Sequence, residues 1–410
     1  MTVDAGAAAS APVASEPARI AAGTPAFRRT NIAIFFCGFS IFAILYCTQP
    51  VLPAFSQEFG VSAAESSLAL SLTTATMAVA MLFASSLSEV VGRKSMMLVA
   101  LVASSLLTLA LAFAPGWSEI LWLRALAGIT LSGMPAVALA YLSEEMDASA
   151  VARAVGIYIG GSAIGGMMGR LVVAGLADYG SWRIAMATIA ITGLVSAAVF
   201  WRTLPASRHF HARTPSFTKL AASLFACARN GSILILLGIG FLLLGGFMTV
   251  YNYVGFRLQG APFHLSQTLA GLVFVVYPLG SFSSAFMGAQ AARYGRGPVL
   301  VGSLTIMTVG LLLMTPDSLV AMLVGLSVLT FGFFGAHAVA SGWAGALVAR
   351  DKAQASSLYL LCYYVGGGVA GTVGGLFWAS HGWPGVALFA GVMMLGTLAL
   401  AALLWRTAPR

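Results

Sequence analysis

Apolar residues in this chain come in runs too long for the core of a water-soluble protein. Twelve such runs follow one another, from 31–52 to 384–405. A helix needs about 20 residues to cross a hydrocarbon core of about 30 Å, so twelve crossings use roughly 240–290 residues. The chain has 410, which leaves enough for tails and loops. Its surface chemistry agrees. Only 8% of residues are charged and 59% are hydrophobic, where soluble domains carry about 25% charged residues. Mean hydropathy is +0.93. Soluble enzymes, nucleic-acid-binding proteins and disordered chains are excluded, because none could keep so much apolar surface from water. A β-barrel is excluded too, since its strands alternate polar and apolar residues over about 10 positions. The expectation is an all-α membrane protein with twelve transmembrane helices.

Residues 1–30 are rich in Ala, Ser and Pro and lack the apolar core of a cleavable signal peptide. They read as a disordered cytoplasmic tail. The longest polar interval inside the chain, 204–230, reads as a cytoplasmic linker between six-span bundles at 31–203 and 231–406. Basic residues set the orientation. With the N-terminus in the cytoplasm, 17 of the 21 Lys and Arg fall on inside segments, and Arg183 and Arg257 on outside edges. Only Arg124 and Arg170 lie within spans. Both termini are therefore expected in the cytoplasm of a bacterial inner-membrane protein. The net charge of +9 then addresses topology and needs no polyanionic partner. The four cysteines, Cys37, Cys47, Cys227 and Cys362, have no metal-ligand spacing and read as small buried hydrophobes. No metal or cofactor is expected.

The chain repeats internally. Gly92-Arg93, after the second run, matches Gly295-Arg296 with an offset of 203. Gly165-Gly166 and Trp182 match Gly366-Gly367 and Trp383 with an offset of 201. Two six-helix units of the same orientation explain both offsets. Parallel repeats are a transporter architecture, with the substrate site between the halves near the midplane.

The segment Leu87-Ser88-Glu89-Val90-Val91-Gly92-Arg93-Lys94 resembles the loop 2–3 motif of the major facilitator superfamily, G-x-L-a-D-r-x-G-r-k. The second-half copy keeps Gly288, Arg293, Gly295 and Arg296 but has Ala292 at the acid position. Pro50-Val51-Leu52-Pro53 resembles P-v-x-P of the family's drug-efflux members. Arg124-Ala125-Leu126-Ala127-Gly128 resembles R-x-x-q-G, and Gly161 to Gly166 resembles the antiporter motif G-P-x-x-G-G with Ser162 in place of Pro. The resemblance covers about 30–405 and is nearest to the bacterial drug and sugar efflux permeases of the drug–proton antiporter branch. It implies two pseudo-symmetric six-helix bundles that usually act as a monomer. It also implies a clamp in which Glu89 meets the start of the eleventh helix near Ser356. Chemically, Gly92 permits the tight turn, Arg93 and Lys94 hold the loop on the basic side, and a helix N-terminus attracts a carboxylate. Gly161, Gly165, Gly166, Gly366 and Gly367 suit close helix packing in lipid.

Charged residues inside a membrane default to function. The resemblance gives Arg124 a role in proton transfer or substrate contact. Arg170 either binds an anionic substrate or pairs with Asp178 or Glu119. All twelve acidic residues lie in tails, loops or span ends, so no mid-membrane carboxylate stands ready to exchange protons. His337 is the one histidine within a span. The other cavity candidates are Tyr46, Gln49, Tyr251, Asn252, Tyr277 and Tyr363, amphipathic groups suited to an apolar or aromatic substrate. Tyr251 and Tyr253 read equally well as an interfacial aromatic belt.

These features exclude an enzyme, which would need a catalytic constellation. They exclude a primary pump, which would need G-x-x-x-x-G-K-S/T. The expected function is a secondary transporter exporting small organic molecules by alternating access, with proton coupling. The alternative is a proton-independent facilitator or an uptake carrier for a sugar or an organic anion.

Overall fold

A computed structural model describes residues 19–210, 217–348 and 351–407. Every helix and span below belongs to them. The tail at 1–18, the linker centre at 211–216 and residues 349–350 and 408–410 lie outside the described residues.

The first span is α1 (Pro25–Tyr46), a 3-10 turn (Gln49–Val51) and α2 (Leu52–Phe59). Spans two and three are α3 (Ala63–Val91) and α4 (Arg93–Leu111). The fourth is broken into α5 (Trp117–Leu131) and α6 (Pro135–Glu145), with Pro135 opening the second piece. Then come α7 (Ala148–Tyr179) and α8 (Trp182–Thr203), and α9 (Phe217–Ala228) lies between the halves. The second half holds α10 (Gly231–Gln259), the eighth span, α13 (Arg296–Leu313) and α14 (Leu319–Ala344). Its eighth span joins α11 (Gln267–Gly271), a 3-10 segment (Leu272–Val276) and α12 (Tyr277–Tyr294). The last helix, α15 (Lys352–Thr407), runs for 56 residues. At 1.5 Å per residue that is about 84 Å, far beyond one bilayer. Gly382 breaks it with φ 59° and ψ −143°, and Pro384 follows. The break supplies spans eleven and twelve and completes two six-helix bundles.

One sequence expectation needs correction. Residues 20–30 are not tail. Ile20 makes a short parallel bridge to Met146, and Thr24 caps α1 by accepting from Phe27 N–H. The linker carries α9, whose apolar stretch at 220–228 is too short to read as a span. Cys227 at its end packs with Ile233 and Ala355.

Glycine sets the packing within each half, and it does so twice. A Cβ on Gly165 would sit 2.0 Å from the Phe39 carbonyl oxygen, and one on Gly366 would sit 2.1 Å from that of Phe241. The pairs α1/α7 and α10/α15 therefore repeat one contact. Gly161 has the same relation to the Phe35 carbonyl at 2.4 Å, while Gly367 meets the Leu244 side chain at 2.6 Å. Gly166 has ordinary clearance, and its carbonyl is what matters below. Spans one and seven are the most enclosed, with 72% and 67% of their apolar windows buried. They form the centre of the molecule.

Candidate substrate site and gates

Because the number of spans is even, both termini leave the same end of the bundle. The halves meet at the opposite, far end. There Gln49 Nε2 donates to Asn252 Oδ1 at 2.8 Å. Thr372 Oγ1 bonds Ser71 Oγ at 2.9 Å and Ser67 Oγ at 3.2 Å. Gln267 Nε2 donates to the Pro50 carbonyl at 2.5 Å, and Thr268 N–H to Asp178 at 3.1 Å. The helices are almost in backbone contact. A Cβ on Gly375 would lie 2.4 Å from Ala64 Cα, and one on Gly271 would lie 2.2 Å from Ala174 Cβ. Gln49 and Asn252 differ by 203, the repeat offset, so this bond joins pseudo-symmetric positions across the interface.

At the termini end, each half satisfies itself. Gly92 and Gly295 take φ of +94° and +89°, a region that favours glycine. Arg93 grips Glu144 through Nη2 at 2.8 Å and Nε at 3.2 Å, and also bonds Ser88. Glu89 lies 3.9 Å from Arg93 of its own half. Among the described residues no hydrogen bond joins Glu89 to the eleventh span, so the clamp near Ser356 is not made in this conformation. Lys94 Nζ donates to the Leu204 and Trp201 carbonyls, tying the start of the linker to the first bundle. Arg293 stacks on Tyr294 at 5.1 Å, and Arg296 opens α13.

The two intramembrane arginines have opposite surroundings. Arg124 is 1% exposed, and carbonyls fill its guanidinium: Ala69 at 2.8 Å, Leu45 at 2.7 Å and Ile44 at 3.1 Å. It fastens the fourth span to the first and second. Arg170 is fully buried but incompletely bonded. Its Nε donates to Gln49 Oε1 at 2.7 Å and Nη1 to the Gly166 carbonyl at 2.7 Å. Nη2 has no partner. Among the described residues no carboxylate compensates it. Asp178 is spent on Thr268, and Glu119 folds back over Gly116 at the start of its own helix. Neither acid pairs with Arg170, which corrects the structural alternative. Aromatic faces surround it instead, Tyr46 at 4.0 Å, Tyr277 at 4.5 Å and Phe274 at 5.0 Å. Each such contact is worth about 0.5–2 kcal/mol, well short of hydrating a guanidinium.

Local backbone brings these groups together. The 3-10 segments at 49–51 and 272–276 interrupt the first and eighth spans, and prolines at 50 and 278 adjoin them. They turn Gln49 and Phe274 toward Arg170. From this cluster an aromatic column runs through Tyr251, Phe247 and Phe333 to His337 and Tyr363. Phe247 stacks on Phe333 at 3.7 Å, and His337 on Tyr363 at 4.4 Å. His337 Nδ1 lies 3.2 Å from the Tyr359 hydroxyl. Tyr251 and Tyr253 are almost fully buried and bond Thr330 and the Gly371 carbonyl at 2.7 Å each, so they are not belt residues. Tyr158 and Tyr364 are buried in opposite halves and were not singled out from sequence. Phe274, the Gly271/Ala174 and Gly375/Ala64 contacts and Glu144 were missed as well. Nothing local marks them, since each acts through a partner far along the chain. Among the described residues no group of His, Cys, Asp and Glu could hold a metal ion.

Two six-helix bundles meeting at one end, over a buried polar and aromatic junction, define a membrane carrier. Comparison with known proteins agrees. The Major Facilitator Superfamily profile matches residues 34–261 and 258–410. The MFS-type transporter YybF of Bacillus subtilis (strain 168) is 43% identical over 385 residues, covering 94% of this chain and 95% of its own. The inner membrane transport protein YnfM of Escherichia coli (strain K12) is 44% identical over 384 residues, covering 94% and 92%. Among solved structures, a bacterial homologue of the human lysosomal transporter Spinster superimposes with a TM-score of 0.74 at 15% identity, over 94% of this chain and 98% of its own. The nucleoside transporter NupG gives 0.73 at 16%, over 93% and 99%. The chain belongs to the major facilitator superfamily. It is a multi-pass membrane protein of bacterial type, a secondary transporter of small molecules and not an enzyme.

Proposed function

We propose that this carrier takes up a small polar or anionic organic solute, or equilibrates it, by alternating access and without drug–proton antiport. One observation carries the reading. Around Arg170 the junction between the halves presents a buried cation, amides and tyrosines, and among the described residues no buried carboxylate to bind the exchanged proton; Asp178 is exposed at its far edge and accepts from Thr268 N–H. Export driven by proton entry, the reading suggested by Pro50–Pro53 and Gly161–Gly166, lacks that group. His337 is bonded to Tyr359 within the aromatic column.

The basic-residue bias supports a cytoplasmic position for the termini end, in the bacterial inner membrane. The conformation is then closed outside, with the cytoplasmic ends unlatched. In the opposite state the far-end bonds part, the solute enters from outside, and Glu89 is free to reach the eleventh span. All the elements this cycle needs lie in one chain, so the carrier acts as a monomer.

The test is counterflow in proteoliposomes with a panel of labelled sugars and organic anions, with and without an imposed pH gradient. The expected result is saturable exchange of one solute class that is indifferent to the gradient. Outward movement only against an opposing proton gradient would restore the export reading.

A further inference from the structure

We infer that the Arg170 cluster is a carboxylate-binding subsite, so that the cargo is a small organic anion with an aromatic or flat apolar body. This deepens the carrier reading and rests on it. Three donors at the junction have no partner: Arg170 Nη2, Asn252 Nδ2 and the Tyr277 hydroxyl. Arg170 and Asn252 are connected, because Gln49 accepts from Arg170 with its carbonyl and donates to Asn252 with its amide. The chain of bonds therefore ends in a spare N–H at each side. Buried polar groups are almost always bonded, and a charged one left open is costly. Spare donors around a fixed cation whose Nη2 bonds no acceptor describe what an anion would complete.

Geometry selects a carboxylate over a diffuse charge. Nε and Nη1 hold the guanidinium plane through Gln49 and Gly166 of its own half. Nη2 is left to be bonded from one direction, as a planar fork offers itself to a carboxylate oxygen. The three rings supply flat apolar walls for the rest of the molecule.

Location couples the subsite to the cycle. Arg170 lies about 10 Å beyond the midpoint of α7, toward the far end. Tyr46 moves with it, but Phe274 and Tyr277 belong to the other half. Opening the far end withdraws those two rings and bares the guanidinium to the solution. When the gate closes empty, the rings cover it again. When the gate closes loaded, the anion takes Nη2.

The experiment measures the thermal midpoint of the purified full-length protein in detergent with benzoate, salicylate or 4-hydroxyphenylacetate, each against its uncharged amide. A midpoint that rises with at least one acid and not with its amide supports the subsite. Arg170→Gln should abolish that rise, and Tyr277→Phe, which keeps the ring, should weaken apparent affinity about tenfold, as for one bond to a charged group. No response to any acid, an equal response to the amides, or an unchanged response in Arg170→Gln overturns it. If Arg170→Gln is not monodisperse, Tyr277→Phe decides the matter alone, and an unweakened affinity in that variant overturns the subsite. Sugar counterflow that survives Arg170→Gln would leave the carrier reading intact and sink the subsite. Acid binding without any counterflow would do the reverse.

Discussion

Arg124 and Arg170 are both buried arginines in adjacent segments of the first half, yet they are built for different ends. The groups that bond Arg124 are three carbonyls and the Cys47 sulfur, all from its own bundle, and the guanidinium acts as a rivet among three helices. Arg170 is held on one side only. Its Nη2 has no partner, and two of the rings over it, Phe274 and Tyr277, belong to the other bundle and on the proposed cycle leave when the halves separate. Burial alone does not identify a functional charge in a membrane. What distinguishes the two is whether the partners move with the arginine, and whether any donor is left over.

The largest effect should follow breaking the rivet. Arg124→Gln orphans carbonyls on two helices, and each buried acceptor left unbonded costs about 1–3 kcal/mol. Folded protein in the membrane should fall sharply, as read by size-exclusion yield. Normal yield would erase the contrast with Arg170.

Next in size is the far gate. Gly375→Leu puts a side chain where Ala64 backbone now lies, so closure is blocked. Counterflow should drop at least about tenfold, since a state displaced by about 1.4 kcal/mol is populated tenfold less. A cysteine at Gln267, in a background without the four native ones, should become reactive from the far side. Gly302→Ala, which meets open space, is the control and should change neither.

Asn252→Ala should act in the same direction more weakly. It removes one amide bond of 2.8 Å between the halves, worth about 1 kcal/mol. A roughly fivefold shift toward far-side labelling is expected, with folded yield retained. No shift would mean that the gate is held by packing alone.

The smallest effect belongs to the motif at the other end. Among the described residues Glu89 bonds nothing in the second half, and it is 31% exposed. On the proposed cycle its contact belongs to the opposite state, so Glu89→Gln should lower the counterflow rate with little loss of folded protein. An unchanged rate in proteoliposomes would count against the clamp.

How much of this was legible in the sequence follows the same division. The spans were, because lipid demands continuous apolar runs, and the repeat offset announced two bundles. Local chemistry could not reveal what depends on the other half. Gln49 and Asn252 were recognisable as polar residues in spans, and their offset of 203 offered a way to pair them. Phe274 looked like any apolar residue until the 3-10 segment turned it onto Arg170. Arg124 carried a family motif and Arg170 none, yet only Arg170 has a donor to spare. The α9 helix was invisible for another reason, as its apolar run at 220–228 is far shorter than a membrane span.

The most direct test of the contrast between the two arginines is Arg170→Gln, measured for folded yield and for benzoate counterflow in the same preparation. Wild-type yield, a monodisperse protein and no carboxylate exchange are the expected results. Exchange at the wild-type rate, or a collapse in yield like that expected of Arg124→Gln, would contradict a binding role for Arg170.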